Sequence, residues 1–515
     1  MARTAHSLIL GAWLACAVAA AAQPPVEVRE HAAAFVDAAR SRDRATIDRL
    51  LAAAGRTAVT QRSADGTTAL HWAVYNDDAD LVQRLLKSGA DPNARNDYLA
   101  SPLLEAAVTG NVQVIRALVK AGADVETANA DGQTALMTLA RTSNVEAARV
   151  LLERGAKVDA REGWRGQTAL MWAAAEAQPA MVRLLIQRGA DVNARSTVNN
   201  WERQVTAEPR MQARPAGGFT PLLYAARRGC TDCARELLKA GATVDLADPE
   251  NVTPLILALV NGNFDTAEVL IDAGAELDRW DTWGRSAVYA AVDMNTLPTS
   301  GRADRPSADR NTGLDILRKM LAKGANPNLQ LKLFPPYRSL RDDRGADNML
   351  TVGATALIRA AKAGDLPAME LLLAHGARTD IATARGFTAL LAAAGNGSAG
   401  LDTRGRYKTE AQAVAAVRLL LDHGADINVA DGTGQTALHG AVAWGWNSLI
   451  ETLAGKGIDL FAKDARGRTA ADLAKGTTST SGREGGIRAR PETEALLRRL
   501  MDAHSTPATT VASTL

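Results

Sequence analysis

The chain has 515 residues, of which 47% are hydrophobic and 23% are charged, and these fractions exclude a chain that is disordered throughout. Aromatic residues make up only 4%, so the core must consist largely of Ala, Leu and Val. Lys and Arg total 59 against 57 for Asp and Glu, and the resulting net charge of +2 argues against a dedicated nucleic-acid-binding protein. Three cysteines are too few for a scaffold built from disulfides.

Residues 1–22 have the pattern of a secretory signal peptide. Arg3 supplies a positive charge, residues 8–22 form an apolar run, and small residues precede the expected cleavage before Gln23. The run is shorter than the roughly 20 residues of a membrane span, and no later stretch is predicted to cross a bilayer. Cys16 leaves a lipoprotein anchor as an alternative, although Trp13 stands where Leu is usual. We expect an exported chain, periplasmic or secreted, and the composition favours a bacterial source.

Two short patterns recur along the chain, mostly at a spacing of 33 residues. The first is a Thr or Ser followed by Ala or Pro and an apolar residue. It begins at Thr68, Ser101, Thr134, Thr168, Thr220, Thr253, Ser286, Thr355, Thr388, Thr436 and Thr469. The second is a Gly that lies 21 residues after the first pattern in the regular repeats, as Gly89 does after Thr68. Because Thr caps helix starts and Gly ends helices, the period predicts a stack of helix pairs.

The residues around both patterns resemble the ankyrin repeat. Residues 65–73, Asp-Gly-Thr-Thr-Ala-Leu-His-Trp-Ala, and residues 85–91, Leu-Leu-Lys-Ser-Gly-Ala-Asp, match its motif closely. The resemblance covers residues 64–475 in eleven copies, and residues 28–63 look like a degenerate N-terminal capping repeat. It implies an all-α ankyrin-repeat solenoid of about 11–12 helix-turn-helix repeats joined by hairpin loops.

Some repeats are longer than the others, with insertions near 195–216, 295–313, 329–350 and 397–412. The first and third insertions are predicted to lie in hairpin loops between repeats, and the other two between the helices of one repeat. Residues 476–490 are predicted to form a linker, residues 491–503 a C-terminal capping helix, and residues 504–515 a disordered tail.

Few patterns in the chain indicate chemistry. Cys230 and Cys233 form a CxxC pair, for which a local disulfide and two free thiols both stay open, while a redox-active site is the least favoured interpretation. We expect no metal site and no cofactor, because no second CxxC or His pair lies nearby in the sequence. His71 and His439 occupy a motif position at which the resemblance implies a hydrogen bond to the adjacent loop. A GxGxxG match at residues 395–400 lacks the preceding strand of a phosphate-binding loop, and we predict no catalytic residues.

The resemblance predicts a non-catalytic scaffold or adaptor that binds another protein in the bacterial cell envelope. It implies a partner on the concave face, made of hairpin tips and first helices, and the aromatic insertion adds Trp201. The predicted partner-binding residues are Tyr75, Trp164, Trp201, Phe219, Arg227, Arg228, Trp283, Arg285, Arg359, Lys362, Arg385, Phe387 and Trp444. Arg beside aromatic residues is typical of an interface. Glycan or small-ligand binding is the main alternative, and a thiol-redox or hydrolytic enzyme is less favoured; we expect a monomer without a nucleic-acid partner.

Overall fold

The structure is a computed structural model that describes residues 26–142, 144–199, 216–296, 307–333, 352–397, 408–476 and 488–505. Within these ranges the regular elements are helices, accompanied only by isolated β-bridges. The prediction of an all-α fold is therefore confirmed. The helices fall into two compact units, residues 1–130 and 131–515. Among the described residues, no helix combines the length and the apolar character that a membrane crossing requires.

In the first unit, three helices precede two helix pairs. These helices are α1 Val26–Ser41, α2 Arg44–Ala54, α3 Arg56–Val59, α4 Ala69–Tyr75, α5 Ala79–Lys87, α6 Pro102–Thr109 and α7 Val112–Lys120. α1 packs against α2 and α4, and this packing buries Phe35 and Ile47. α4 lies beside α6, and α5 lies beside α7. Helices α1–α3 therefore cover the N-terminal side of the α4–α5 pair, which no other helix pair covers in the described residues.

In the second unit, the first and second helices of the repeats alternate along the chain. These helices are α8 Ala135–Arg141, α9 Val145–Glu153, α10 Ala169–Ala175, α11 Pro179–Gln187, α12 Pro221–Arg228, α13 Thr231–Lys239, α14 Pro254–Leu259, α15 Phe264–Asp272, α16 Ala287–Asn295, α17 Gly313–Ala322, α18 Ala356–Ala363, α19 Leu366–Ala374, α20 Ala389–Ala394, α21 Glu410–Asp422, α22 Ala437–Trp444, α23 Asn447–Gly455, α24 Ala470–Ala474 and α25 Pro491–Ser505. A first helix such as α10 packs on its own second helix, α11, and on the neighbouring first helices α8 and α12.

The core of the second unit lies between the first and second helices. Ala173 and Ala174 of α10 are fully buried, and their small side chains allow neighbouring first helices to approach closely. Leu185 of α11 is also fully buried and fills the space between the two layers. An aromatic-poor chain can therefore still build a continuous apolar core.

The sequence pattern sets both ends of the helix pair. The hydroxyl oxygen of Thr168 accepts a hydrogen bond from the backbone N–H of Met171 and so caps the start of α10. Pro221 occupies the first turn of α12, where an N–H has no helical partner to lose. Gly241 follows the end of α13 with φ of 89°, a left-handed conformation that residues with a Cβ rarely adopt.

The hairpin loops contain a recurring turn that a carboxylate holds together. The buried side chain of Asp281 accepts hydrogen bonds from the backbone N–H groups of Trp283 (3.1 Å) and Arg285 (2.9 Å). Asp464 accepts the equivalent bonds at the last hairpin. Because the carboxylate satisfies N–H groups that the turn would otherwise leave unpaired, each tip keeps a defined shape.

A backbone hydrogen bond joins successive hairpin tips. Within the second unit these bonds run from the N–H of Gly163 to Asp131, Thr197 to Arg165, Thr282 to Glu250, Lys332 to Trp283, Ala384 to Val352, Gly432 to Arg385 and Ala465 to Thr433. Pro249 stands at the donor position of its tip and has no N–H. Its ring lies against Gly218, where a Cβ would come within 2.8 Å of the Cδ atom of Pro249.

The two hairpin insertions leave and rejoin the array at the tips. The N–H of Gly218 donates to the carbonyl of Thr197 (3.0 Å), and the N–H of Leu331 donates to that of Ala354 (3.0 Å), which closes the neck of each insertion. The interiors of the predicted insertions, residues 200–215, 297–306, 334–351 and 398–407, lie outside the described residues. Residues 1–25, 477–487 and 506–515, with all of the predicted signal peptide and most of the predicted linker and tail, also lie outside them.

α25 packs against α23 and α24 at the end of the second unit. Leu497 is fully buried there, and the hydroxyl of Thr493 donates to the side-chain oxygen of Asn447 (2.8 Å). Arg490, just before the helix, donates from Nη2 to the backbone carbonyl of Ala443 (2.8 Å). These contacts cover the outer side of the last repeat.

Candidate protein-binding surface

The hairpin tip at residues 162–166 presents a tryptophan and an arginine together. Glu162 is buried, and its carboxylate accepts hydrogen bonds from the backbone N–H groups of Trp164 (2.7 Å), Arg165 (2.7 Å) and Gln167 (3.0 Å). This turn directs Trp164 outward, so that 73% of the residue is exposed. The guanidinium of Arg165 lies over the indole ring, 4.3 Å from its centroid. A rigid loop therefore displays an exposed aromatic ring with a cation on one face.

α12 and the residue before its cap form a second arginine–aromatic group. The guanidinium of Arg227 lies 5.1 Å from the ring centroid of Tyr224 and 5.4 Å from that of Phe219. The two rings meet edge to face at 5.4 Å. Gln167 donates from Nε2 to the hydroxyl of Tyr224 (2.6 Å), so the preceding hairpin is tied to α12.

Arg227 is exposed as a residue, although its guanidinium is partly desolvated by the two rings. This desolvation lowers the pKa of Arg227, ionised Tyr224 acts in the opposite direction, and the nearby charge of Arg165 lowers the pKa further. The side chain nevertheless stays charged at neutral pH, because the pKa of a guanidinium lies far above neutral pH. Gln167, two residues after Arg165, bonds to the hydroxyl of Tyr224, whose ring carries Arg227, which places the hairpin of Arg165 beside α12.

A third contact between an arginine and an aromatic ring joins α8 and α10, the first helices of the two preceding repeats. The guanidinium of Arg141, at the end of α8, lies 4.7 Å from the ring centroid of Trp172 in α10. Trp172 and Tyr224 occupy the same position in consecutive repeats, and α10 packs directly against α12. We call the combined set the arginine–aromatic surface: Arg141, Trp164, Arg165, Trp172, Phe219, Tyr224 and Arg227; Tyr224 is itself buried and lies beneath the guanidinium of Arg227.

The arginines of this surface differ from several arginines of other repeats in their partners. Within the described ranges, Arg141, Arg165 and Arg227 make no ion pair with a carboxylate. Three arginines elsewhere in the second unit are instead occupied by internal ion pairs. They are Arg285 with Asp281 (2.8 Å), Arg359 with Asp293 (2.6 Å) and Arg468 with Asp464 (2.7 Å).

The structure brings only part of the predicted site to the surface. Trp164 is exposed at its tip, Arg227 is exposed and contacts the half-buried Phe219, and Arg228 is exposed beside Arg227 at the end of α12. Arg385 is exposed at a later tip. Tyr75 belongs to the first unit, where it is 64% exposed and meets Trp72 edge to face at 5.6 Å.

Other predicted site residues are committed to the fold. Arg359 is 2% exposed and Lys362 5% exposed, so neither offers its charge to a partner. Trp283 and Phe387 are also buried, because each tip packs against its neighbours. The structure therefore does not present these four residues on an accessible face, contrary to the prediction that they line one.

Of the three remaining predicted site residues, two are half-buried and one lies outside the described residues. Arg285 is half-buried on Asp281. Trp444 is half-buried, stacks on Trp446 at 5.1 Å and donates from Nε1 to the carbonyl of Gly395 (3.0 Å). Trp201 lies outside the described residues.

Sequence reasoning missed Arg141, Arg165, Trp172 and Tyr224 as members of the site. Tyr224 had a usable signal, because it shares its motif position with Trp72 and Trp172. Arg165 directly follows Trp164 at a hairpin tip, and an alignment of the repeats by their hairpins would have shown the two residues side by side. Arg141 had no such signal, since its partner Trp172 lies 31 residues further along the chain.

Cys230 and Cys233 are joined by a disulfide. Cys230 precedes the first turn of α13, and its Sγ atom accepts a hydrogen bond from the backbone N–H of Cys233 (3.2 Å). Both residues are buried, with Cys233 at 0% exposure. Over the parts of the chain that the structure covers, no group of three or more His, Cys, Asp or Glu side chains is arranged to hold a metal ion.

Comparison with known families agrees with this architecture. A family model of ankyrin repeats (3 copies) matches residues 35–129, 103–196 and 202–295. A model of ankyrin repeats (many copies) matches residues 410–448, and a single ankyrin repeat matches residues 352–384. No curated protein matches the chain significantly. Because the matched residues make up more than half of the sequence, the chain belongs to the ankyrin repeat proteins.

Proposed function

We propose that this protein is a non-catalytic scaffold that binds a protein partner through the arginine–aromatic surface. The observation that carries the proposal is the exposed pair Trp164 and Arg165, which a preformed turn holds, with Arg227 exposed on α12 of the next repeat. Such a cluster combines the residue types that dominate interface hot spots, and its rigidity reduces the entropy lost on binding. Ankyrin repeats are generally interaction modules, which supports the same reading.

Affinity capture from an extract of the native source tests this proposal. The bait is the chain from residue 23 onward, compared with a Trp164→Ala/Arg227→Ala variant. The matched control is Tyr98→Ala, because Tyr98 is also 73% exposed and also lies at a hairpin tip. We expect a protein that the wild type and the control retain and the double variant loses. Equal retention by all three folded baits would contradict the proposed surface.

The arrangement of the rings favours a protein over a glycan. A sugar stacks on an open aromatic face, whereas Trp164, Trp172 and Tyr224 each carry an arginine over one face. A thiol-redox enzyme is also disfavoured, because the buried Cys233 presents no accessible sulfur to a substrate.

We further propose that the chain is exported to a bacterial cell envelope, with the periplasm as its site. The apolar run at residues 8–22 supports export, and the Cys230–Cys233 disulfide fits an oxidising compartment. Intact-mass measurement of the protein from cell fractions tests this. We expect a periplasmic species that begins at Gln23 and resists thiol alkylation until it is reduced. A cytoplasmic, full-length species with two alkylated thiols at these positions would contradict it.

A further inference from the structure

We infer that the partner binds the arginine–aromatic surface through an extended acidic segment, whose carboxylates are received by Arg141, Arg165 and Arg227. The inference rests on the proposed function and specifies the chemistry of its partner. It follows from the charge balance, the geometry of the guanidinium groups and the spacing of the helices.

The surface carries positive charge that the described residues do not neutralise. α8, α10 and α12 together contain Arg141, Arg227 and Arg228 and no acidic residue; Glu176, just after α10, is the nearest acid in sequence. The carboxylate of Glu162 is buried and engaged by three backbone N–H groups. An approaching carboxylate therefore meets several unpaired cations and little opposing charge.

The guanidinium groups keep their donor edges available. An arginine that lies over an aromatic ring retains its N–H groups in the plane of the guanidinium, where a carboxylate can accept two hydrogen bonds at once. In Arg285 and Arg468 an aspartate of the same loop already occupies that edge. In Arg141, Arg165 and Arg227 no described residue occupies that edge, so it is open to a carboxylate of a partner.

The spacing of the cations predicts an extended segment. Neighbouring packed helices lie about 8–10 Å apart, so the ends of α8 and α12, which flank α10, are separated by roughly 20 Å. An extended chain advances about 3.3 Å per residue. Acidic residues about six positions apart therefore match Arg141 and Arg227, a further carboxylate can reach Arg165 at the tip before α10, and apolar residues of the segment can contact Trp164 and Phe219.

Selection from a phage-displayed peptide library tests the inference on the chain from residue 23 onward. We expect selected peptides to be enriched in Asp or Glu, with two acidic positions about six residues apart. The best peptide, labelled for fluorescence anisotropy, should bind about 10- to 100-fold more weakly to Arg165→Gln and Arg227→Gln, the effect of losing a charge-assisted hydrogen bond. The matched control is Arg466→Gln, an exposed arginine at the same tip position as Arg165, and it should bind like the wild type.

The outcomes separate this inference from the proposed function. Peptides that depend on Trp164 but show no acidic enrichment would overturn the inference and leave a protein-binding surface. Selection that yields no peptide dependent on either Trp164 or Arg227 would overturn both. Tighter binding of single-stranded oligothymidine than of any selected peptide would overturn the acidic-segment inference in favour of a nucleic-acid ligand. Retention of affinity in both Gln variants would overturn it as well.

Discussion

The ring of His439 is buried between the start of α22 and the following hairpin loop. The backbone N–H of Thr436 donates to Nδ1 (3.2 Å), so the proton resides on Nε2, which donates to the carbonyl of Arg468 (3.3 Å). Burial is the main reason that the pKa of His439 is lowered, although the bond to Arg468 opposes the shift. The neutral ring thus links the cap of one helix to the next loop, and His71 makes the same link to Ala100 in the first unit.

The lowered pKa makes stability depend on pH in a defined direction. As the pH falls through about 6.5, the unfolded chain binds a proton to this histidine before the folded chain does. The free energy of unfolding should therefore decrease from pH 7.5 to pH 5.0, by about 1.4 kcal/mol for each unit by which folding lowers the pKa. Urea unfolding of the wild type and His439→Gln at both pH values measures this. The variant should lose less stability on acidification, whereas His375→Gln, at an exposed histidine, should behave like the wild type.

At this scale the sequence predicted the roles of some side chains and missed others. Motif position was sufficient for His439, because both of its partners belong to the repeat pattern. It was insufficient for Arg359, whose burial depends on Asp293, 66 residues earlier in α16. Exposure is a property of the neighbours of a residue, and a repeat motif specifies the backbone position more firmly than the side chains that surround it.

Among the elements, the hairpin turns repeat one geometry but differ in how closely the next loop approaches. Gly284 and Gly467 occupy the same turn position, with φ of 80° and 75°. A Cβ at Gly284 would lie 2.5 Å from the backbone nitrogen of Lys332, whereas a Cβ at Gly467 would meet nothing within 4 Å. Gly284 is therefore required both for its left-handed backbone and for the close approach of Lys332, whereas Gly467 is required only for its backbone conformation.

This difference predicts unequal costs for the same substitution. Gly467→Ala should lower the free energy of unfolding by roughly 1–2 kcal/mol, because it forces a left-handed alanine. Gly284→Ala should lower it by roughly 1–3 kcal/mol more, because the new methyl group also collides with the Lys332 backbone. Chemical denaturation of both variants measures the two values. Equal losses would show that the adjoining tip moves aside without cost.

The CxxC disulfide stabilises the start of one second helix. In α5 and α19 the capping residue is an aspartate, but in α13 the cap is Cys230. Reduction should lower stability by roughly 2 kcal/mol, the value expected for so short a closed loop. Thermal unfolding with and without a dithiol measures the change. Cys230→Asp/Cys233→Ala restores an oxygen cap and should unfold identically under both conditions, whereas a wild type insensitive to the dithiol would contradict the stabilising role.

Taken as a whole molecule, the chain was most predictable where its period was regular. The spacing of Thr and Gly predicted where helices begin and end, because both residues act on the backbone within one turn. The necks of the hairpin insertions were predictable for the same reason, as extra length between two fixed motifs. The arginine–aromatic surface was not, because it combines residues of three repeats whose contacts no single motif records.

Removal of α25 should affect the stack beyond the helix itself. The helix covers the last repeat through Leu497 and Thr493, and a repeat array without a polar outer cap exposes apolar surface. A chain ending at residue 490 should therefore melt at a lower temperature and aggregate more readily than a control chain ending at Ser505. Differential scanning calorimetry and light scattering measure both properties. Indistinguishable behaviour of the two truncated chains would argue against a capping role.

Pro249 makes one connection in the row of hairpin tips easier to bend than the others. On one side of Pro249, backbone hydrogen bonds from Gly163 to Asp131 and from Thr197 to Arg165 join successive tips. On its other side, the series of such bonds begins with Thr282 to Glu250. Where Pro249 replaces a donor, no backbone hydrogen bond between tips is present among the described residues, and the proline ring lies against Gly218 instead. Nearer the base of these loops, Asn193 still bonds to Gly241 and Thr243. Bending at the tips therefore breaks no backbone hydrogen bond of the described residues there, so mechanical strain along the tips should concentrate at Pro249, beside the helix that carries Tyr224 and Arg227.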